Sequence, residues 1–298
     1  MIIGTWQSGG SSWKTVSTDT AHAALRHAIE TGHRDFDTAP SYGDGVAEAA
    51  LGRLLREAGV SDARVFTKIP PDRLRRDQLL ATARESVERL GRPVEALLVH
   101  WPAGTMGCEP VPTEEIAHAM LEAKAQGLTR RIGLSNHSLA EIQDFERFAP
   151  VEAAQYAYSP LYRVIEADVL PYLRGLGVTP QAYSPLAQGL LAPGPRAPIG
   201  EGDHRNWVRL FKGDLLAQCQ AFRTTLIEAY GEQDFSAVVL AWVRAKGLSP
   251  IVGIHRPEHL DLPQRARTVT LSEEEVARID AWGAPLLAQV DGQLSMWG

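Results

Sequence analysis

Arg64-Val65-Phe66-Thr67-Lys68, then the spaced apolar set Leu79-Leu80-Ala83-Val87-Leu90, then Ala96-Leu97-Leu98-Val99-His100, form the stretch that decides the fold. A short strand-like run gives way to apolar residues three and four apart, the period of one helix face, and a second strand-like run closes the unit. The unit recurs in both directions. Before it lie Ile2-Ile3-Gly4 and Arg34-Asp35-Phe36, separated by the helical pattern Ala24-Leu25-Ala28-Ile29. After it come Arg131-Ile132-Gly133-Leu134, Ala153-Ala154-Gln155, Val178-Thr179-Pro180-Gln181-Ala182 and Pro250-Ile251-Val252, with Ile116-Met120-Leu121 on an intervening helix. Strand and helix alternating in this way imply right-handed crossovers and a parallel sheet, and eight strands is the count at which such a sheet closes. The expected fold class is therefore α/β, a (β/α)₈ TIM barrel, with residues 1–298 as one domain. An open doubly wound sheet would need a G-x-G-x-x-G turn after its first strand, and Ile2-Ile3-Gly4 is not followed by one.

Composition agrees with a folded globular protein. The 298 residues are 44% hydrophobic and 22% charged with a formal net charge of -6, which argues against a disordered chain and against a nucleic-acid surface. No run approaches the ~18 to 20 apolar residues of a spanning helix, and no basic segment followed by an apolar run opens the chain, so a cytoplasmic protein is expected. Cys108 and Cys219 read as reduced thiols with no metal-ligand spacing around them. Residues 187–213, rich in Gly and Pro, form the least regular stretch and should overhang the active-site mouth.

In a barrel, chemistry gathers where strands end. Asp37, Lys68 and His100 close the second, third and fourth strands at intervals of about one repeat, which makes them neighbours on the rim. Tyr42 follows in the turn-rich Asp37-Thr38-Ala39-Pro40-Ser41-Tyr42-Gly43. Singly they read as a helix-capping carboxylate, a strand-end cation, a core imidazole and a packing ring. Together they make a proton-delivery site. An aspartate-paired ammonium beside a phenol favours phenolate, and should lower the phenol's ordinary pKa of ~10 by 1 to 3 units, while an imidazole orients a carbonyl oxygen. No activated serine or cysteine and no carboxylate pair accompanies them.

The combination Asp37-Thr38-Ala39-Pro40-Ser41-Tyr42-Gly43, Thr67-Lys68, Leu98-Val99-His100-Trp101-Pro102 and Ile132-Gly133-Leu134-Ser135-Asn136 resembles the aldo-keto reductases. The likeness runs on through Gln155-Tyr156, Ala182-Tyr183-Ser184-Pro185-Leu186-Ala187-Gln188-Gly189-Leu190-Leu191 and Leu240-Ala241-Trp242, and is nearest a bacterial branch that includes general stress and inositol-locus reductases. It implies a (β/α)₈ barrel and an NADPH-dependent carbonyl reduction. Tyr42 would protonate the carbonyl oxygen, Lys68 salt-bridged to Asp37 would lower its pKa, and His100 would orient the substrate.

The resemblance also assigns a cofactor surface. Ser135, Asn136 and Gln155 would hold the nicotinamide carboxamide, and Tyr183 would stack on its ring. Backbone amides at Ser184, Leu186, Gln188, Gly189 and Leu190 would wrap the pyrophosphate, with Arg205 as a phosphate clamp. Gly253, His255, Arg256 and His259 would meet the adenosine end, the two histidines adding positive charge that fades above their ordinary pKa of ~6.5. The acidic-Asn pair usual at adenine has become Leu262-Pro263, which implies weaker binding of the cofactor.

Trp6, Trp13, Trp101 and Trp207, with Trp297 from the tail, could wall an apolar substrate pocket. Relatives usually open with a β-hairpin that plugs the bottom of the barrel. Here the first residues read as strand one, so either the true start lies upstream or a bare apolar end should be covered by self-association or a rearranged element, which makes a homo-oligomer one expected outcome. Two further readings stay open: a sugar, inositol or alcohol dehydrogenase running the reverse direction, and a slow-turnover redox-sensing regulatory subunit.

Overall fold

The computed structural model describes residues 1–10, 17–194 and 199–290. Eight parallel strands, β1 (Ile2–Gly4), β2 (Asp35–Asp37), β3 (Arg64–Ile69), β4 (Val94–Val99), β5 (Thr129–Ser135), β6 (Ala153–Ala157), β7 (Gln181–Tyr183) and β8 (Ser249–Gly253), pair in sequence order. β8 returns to β1 with Ile3 opposite Val252, which closes the barrel. The helices are α1 (Thr18–Glu30), α2 (Val46–Glu57), α3 (Arg76–Leu90), α4 (Thr113–Ala125), α5 (Leu139–Glu146), α6 (Val169–Gly175), α7 (Gly213–Tyr230), α8 (Phe235–Ala245), α9 (Asp261–Thr268) and α10 (Glu273–Val290). Among the described residues no helix is long and apolar enough to cross a membrane.

Local chemistry sets the element ends. Ser138 and Glu141 form a reciprocal capping box that starts α5, and Gly91 at φ 71° ends α3. The seventh strand is shorter than its sequence pattern: the Val178 amide is spent on the Leu173 carbonyl to finish α6, and Pro180 has no N–H to give, so pairing begins at Gln181.

Two apolar layers result from the alternation of side chains along each strand. The outer one packs helices on the barrel, with Leu25, Ile29, Leu54, Leu79, Met120, Phe145 and Trp242 among its members. The inner one is smaller: Ile2, Phe66, Ala96, Leu98, Ala153 and Ile251 fill the barrel interior beneath the mouth. Gly133 is forced by close approach, because a Cβ there would sit 1.9 Å from the Ala153 carbonyl oxygen.

At the N-terminal end of the barrel the structure departs from the sequence reading. Arg64 donates to both carboxylate oxygens of Asp35, and Arg131 pairs with Glu95 at 3.0 Å. The strand starts therefore present ion pairs where a bare apolar end was expected.

Candidate active site

The mouth opens into a cleft of about 1570 Å³ bordered by the ends of the strands and by the loop after β7. Its centre is a buried cation. Lys68, on β3, is wholly buried and gives its three hydrogens to Asp37 Oδ1 at 2.7 Å, the Thr38 carbonyl at 2.9 Å and Tyr42 Oη at 3.2 Å. An ammonium has three donors, so all are used, and the Tyr42 hydroxyl accepts rather than donates here. Its own hydrogen is left for the cleft.

Tyr42 reaches this position because its loop is pressed against the loop after β1. Gly9 and Gly43 meet backbone to backbone, and a Cβ on Gly43 would lie 2.0 Å from the Gly9 oxygen. Gly43 also takes φ 68°, a conformation that glycine adopts at little cost. Behind the loop, Glu48 at the start of α2 is fully buried, accepts from Thr67 Oγ1 at 2.6 Å and pairs with Arg89 at 2.7 Å, which ties α2 to β3 and α3.

Electrostatics correct one expectation. The Tyr42 phenol is not shifted toward phenolate: burial, with a smaller contribution from the Asp37 charge, holds its pKa well above 10. Asp37 neutralises Lys68 at close range, so little net positive field reaches the phenol, and desolvation of a phenolate outweighs it. Burial likewise lowers the Lys68 pKa, opposed by Asp37. His100 stands edge-on to Tyr42 with 6.1 Å between ring centroids, and burial plus the Lys68 charge press its pKa well below 6.5. At neutral pH the site thus presents a phenol O–H and a neutral imidazole.

Beside the tetrad lies a set of polar groups with fixed roles. Asn136 donates to the His100 carbonyl at 3.0 Å and to Ser135 Oγ at 3.1 Å, and its Oδ1 accepts from Tyr183 Oη at 2.9 Å. Gln155 donates through Nε2 to Asp37 at 2.8 Å and to Gln181 at 2.9 Å. With the amide hydrogens spent, Gln155 Oε1 and the second lone pair of Asn136 Oδ1 remain as acceptors and the Ser135 hydroxyl as donor. A primary carboxamide, two N–H and one C=O, is the complement of that set.

The loop after β7 borders the cleft through Ser184, Leu186, Gln188 and Gly189. Ser184, Ala187 and Gln188 all take positive φ, 53°, 49° and 57°, which folds the chain tightly over the mouth. Leu190 is different: it is buried in the main core away from the cleft. The amides of Gly189 and Leu190 are already bound to the carbonyls of Leu186 and Ala187. Arg205 borders the cleft with its guanidinium locked on Asp203 at 2.6 Å, and His204 beside it bonds Gln188 Oε1 at 2.9 Å.

At the far end Gly253, His255, Arg256 and His259 border the cleft together with Glu258, Asp261, Leu262, Gln264 and Arg265. The rings of His255 and His259 meet edge to face at 4.2 Å. Burial lowers both pKa values, His255 to about 4, so they are neutral near pH 7 instead of half-charged near 6.5. The positive charge here belongs to Arg256 and Arg265.

The family model described as the Aldo/keto reductase family matches residues 1–284. The chain belongs to that family. Among relatives of this aldo/keto reductase, an aldo-keto reductase of Bacillus subtilis, YhdN, is 32% identical over 200 residues, which cover 63% of this chain and 59% of that one. The solved glycerol dehydrogenase AKR11B4 of Gluconobacter oxydans superposes with a TM-score of 0.83 at 25% identity, over 96% of this chain and 91% of that one. An aldo-keto reductase of Klebsiella pneumoniae in complex with NADPH gives 0.72 at 27% identity, over 94% and 89%.

Of the tryptophans, Trp6, Trp101 and Trp207 border the cleft of this aldo/keto reductase, and Trp13 and Trp297 lie outside the described residues. The sequence reading missed Gln7, Met106, Phe211, Gln181 and His204. Gln7, three residues beyond Gly4, was within reach of the strand-end rule; its buried Oε1 has no hydrogen-bond partner among the described residues, and a Cβ on Gly253 would collide with its amide. Met106 carried no signal, since its place depends on the path of the loop after β4.

Proposed function

We propose that this aldo/keto reductase is an NADPH-dependent carbonyl reductase in which Tyr42 gives the proton to the oxygen of an aldehyde or ketone. The observation that carries the reading is the saturated ammonium of Lys68, whose contact with Tyr42 leaves the phenolic hydrogen as the donor facing the cleft. When bound, a reduced nicotinamide supplies the hydride, chemistry that belongs to the cofactor. Tyr42 holds the proton at Oη, and as it leaves, Lys68 stabilises the forming phenolate, a charge that exists only late in the reaction. His100, neutral, orients the carbonyl oxygen by a hydrogen bond.

The polar set suits the cofactor. Gln155 and Asn136 would accept from the carboxamide hydrogens, Ser135 would donate to its oxygen, and Tyr183 would stack on the ring. Arg256, with Arg265, faces the 2′-phosphate that distinguishes NADPH from NADH, and the NADPH complex of the Klebsiella relative supports that choice. Trp6, Trp101 and the strongly exposed Met106 and Trp207 give the substrate side an apolar rim. The same groups run in reverse oxidise an alcohol, and the likeness to a glycerol dehydrogenase supports testing that direction.

The test is loss of NADPH absorbance with a panel of neutral and carboxylate-bearing aldehydes and ketones, and formation of NADPH from NADP with polyols. Turnover in the first arm supports reduction. Silence in both, with cofactor bound, would favour a slow redox sensor.

A further inference from the structure

We propose that Gln181 is a positioning residue that locks the plane of the Gln155 amide with its oxygen aimed at the cofactor, so that the protein reads the carboxamide through its N–H₂ group. The proposal rests on the NADPH reading above and adds to it a residue outside the tetrad and the cofactor surface.

Gln155 and Gln181 are directly opposite one another in the β6–β7 ladder, and both side chains turn into the barrel, 2% and 6% exposed. Interior positions of a barrel strand are ordinarily filled by apolar side chains, so a buried glutamine at 181 calls for a polar reason. Its partner supplies one. Gln155 reaches from β6 across the barrel to Asp37 on β2, four strands away, and donates to Oδ1 at 2.8 Å, while the same nitrogen donates to Gln181 Oε1 at 2.9 Å.

The identity of that nitrogen is not arbitrary. An ionised carboxylate only accepts, so the atom facing Asp37 is Nε2. Asp37 fixes one of its two hydrogens; Gln181 takes the other. Nothing is then left on the nitrogen to donate into the cleft, and no described residue bonds Oε1, which is turned to the mouth as an acceptor. Remove the acceptor at 181 and one N–H of a buried amide loses its partner; Nε2 stays on Asp37, and the Gln155 amide is free to turn about that one bond, which swings the unpaired N–H toward the cleft and carries Oε1 off its line to the mouth. Asp37 therefore sets which atom of Gln155 points inward, and Gln181, by holding the second hydrogen, locks the amide plane that aims Oε1 at the ligand.

The test compares binding, read by quenching of protein fluorescence, of NADPH and of reduced 3-acetylpyridine adenine dinucleotide phosphate. The second carries a ketone in place of the amide, an acceptor with no N–H. The wild type should bind NADPH at least tenfold more tightly than the acetyl form. In Gln181→Met, which conserves volume, and in Gln181→Leu, which packs differently, the ratio should fall to threefold or less while the thermal midpoint stays within a few degrees. Variants that fold normally and keep the full ratio would overturn the proposal, as would a wild type that binds both forms equally. A wild type that binds neither form defeats the NADPH reading itself, which separates the two failures.

Discussion

The Asn136 side-chain amide donates to the main-chain carbonyl of His100 at 3.0 Å, so the end of β5 holds the end of β4. Asn136 adopts φ 65° to do so, a left-handed conformation that asparagine tolerates better than other side chains. The residue proposed to face the carboxamide and the residue proposed to orient the substrate are thus one hydrogen bond apart. Replacing Asn136 with Ala should remove that bond and leave a strained φ, loosening both sites together. Cofactor affinity and kcat should each fall by about tenfold or more, the loss of one buried hydrogen bond, and titration plus steady-state kinetics would show whether the two losses occur together.

Tyr42→Phe deletes the proposed proton donor and leaves the packing of its ring. Carbonyl reduction should fall by ~10²- to 10⁴-fold while NADPH affinity changes little. Single-turnover rates with an activated ketone test this, and near-normal rates would remove Tyr42 from the role of acid.

Lys68→Met should destabilise the fold as well as stop turnover. Asp37 would stay buried with Gln155 as its remaining side-chain donor, and breaking a buried pair from one side typically costs ~3 to 5 kcal/mol. Urea unfolding of the variant checks the figure. Lys68→Met with Asp37→Asn, which removes the charge left behind, should recover part of the stability and none of the activity.

His33 makes acid stability sensitive to pH. It is buried near Arg267, and its pKa is lowered to about 4, by burial first and then by neighbouring positive charge. Between about pH 4 and 6.5 the unfolded chain binds a proton that the native state refuses, so stability rises with pH across that window and is lost as pH falls through it. One such group gives a slope of up to about 1.4 kcal/mol per pH unit. His33→Gln should flatten the urea midpoint between pH 6.5 and 4.5 relative to wild type; an unchanged slope would refute the assignment.

Preference for NADPH over NADH should stay level from pH 7 to 8.5. His255, at about 4, and His259, also lowered, are neutral throughout that range, which leaves Arg256 with Arg265 as the proposed discriminating charge. Arg256→Ala should cut the preference by one to two decades, the size of one charge-assisted contact. Binding titrations of both cofactors at the two pH values decide it, and a preference that declines over this interval would return charge to the histidines.

The sequence by itself determined the barrel, because eight strand-like runs alternating with helical spacing close in one way, and it determined the tetrad, because Asp37, Lys68 and His100 recur at strand ends that the repeat makes adjacent. It also placed Ser135, Asn136, Gln155 and Tyr183 at the mouth. Only the tertiary structure decided what those groups do to one another. The phenol of Tyr42 stays protonated and the histidines at 255 and 259 stay neutral because burial, which no linear pattern reports, disfavours the charged form of each. Gln155 meets Asp37 across the barrel, and Leu190 turns into the core while Gln188 turns to the cleft, because a loop with three positive φ values and a sheet closed on itself bring together or part residues whose distance along the chain carries no information about their distance in space.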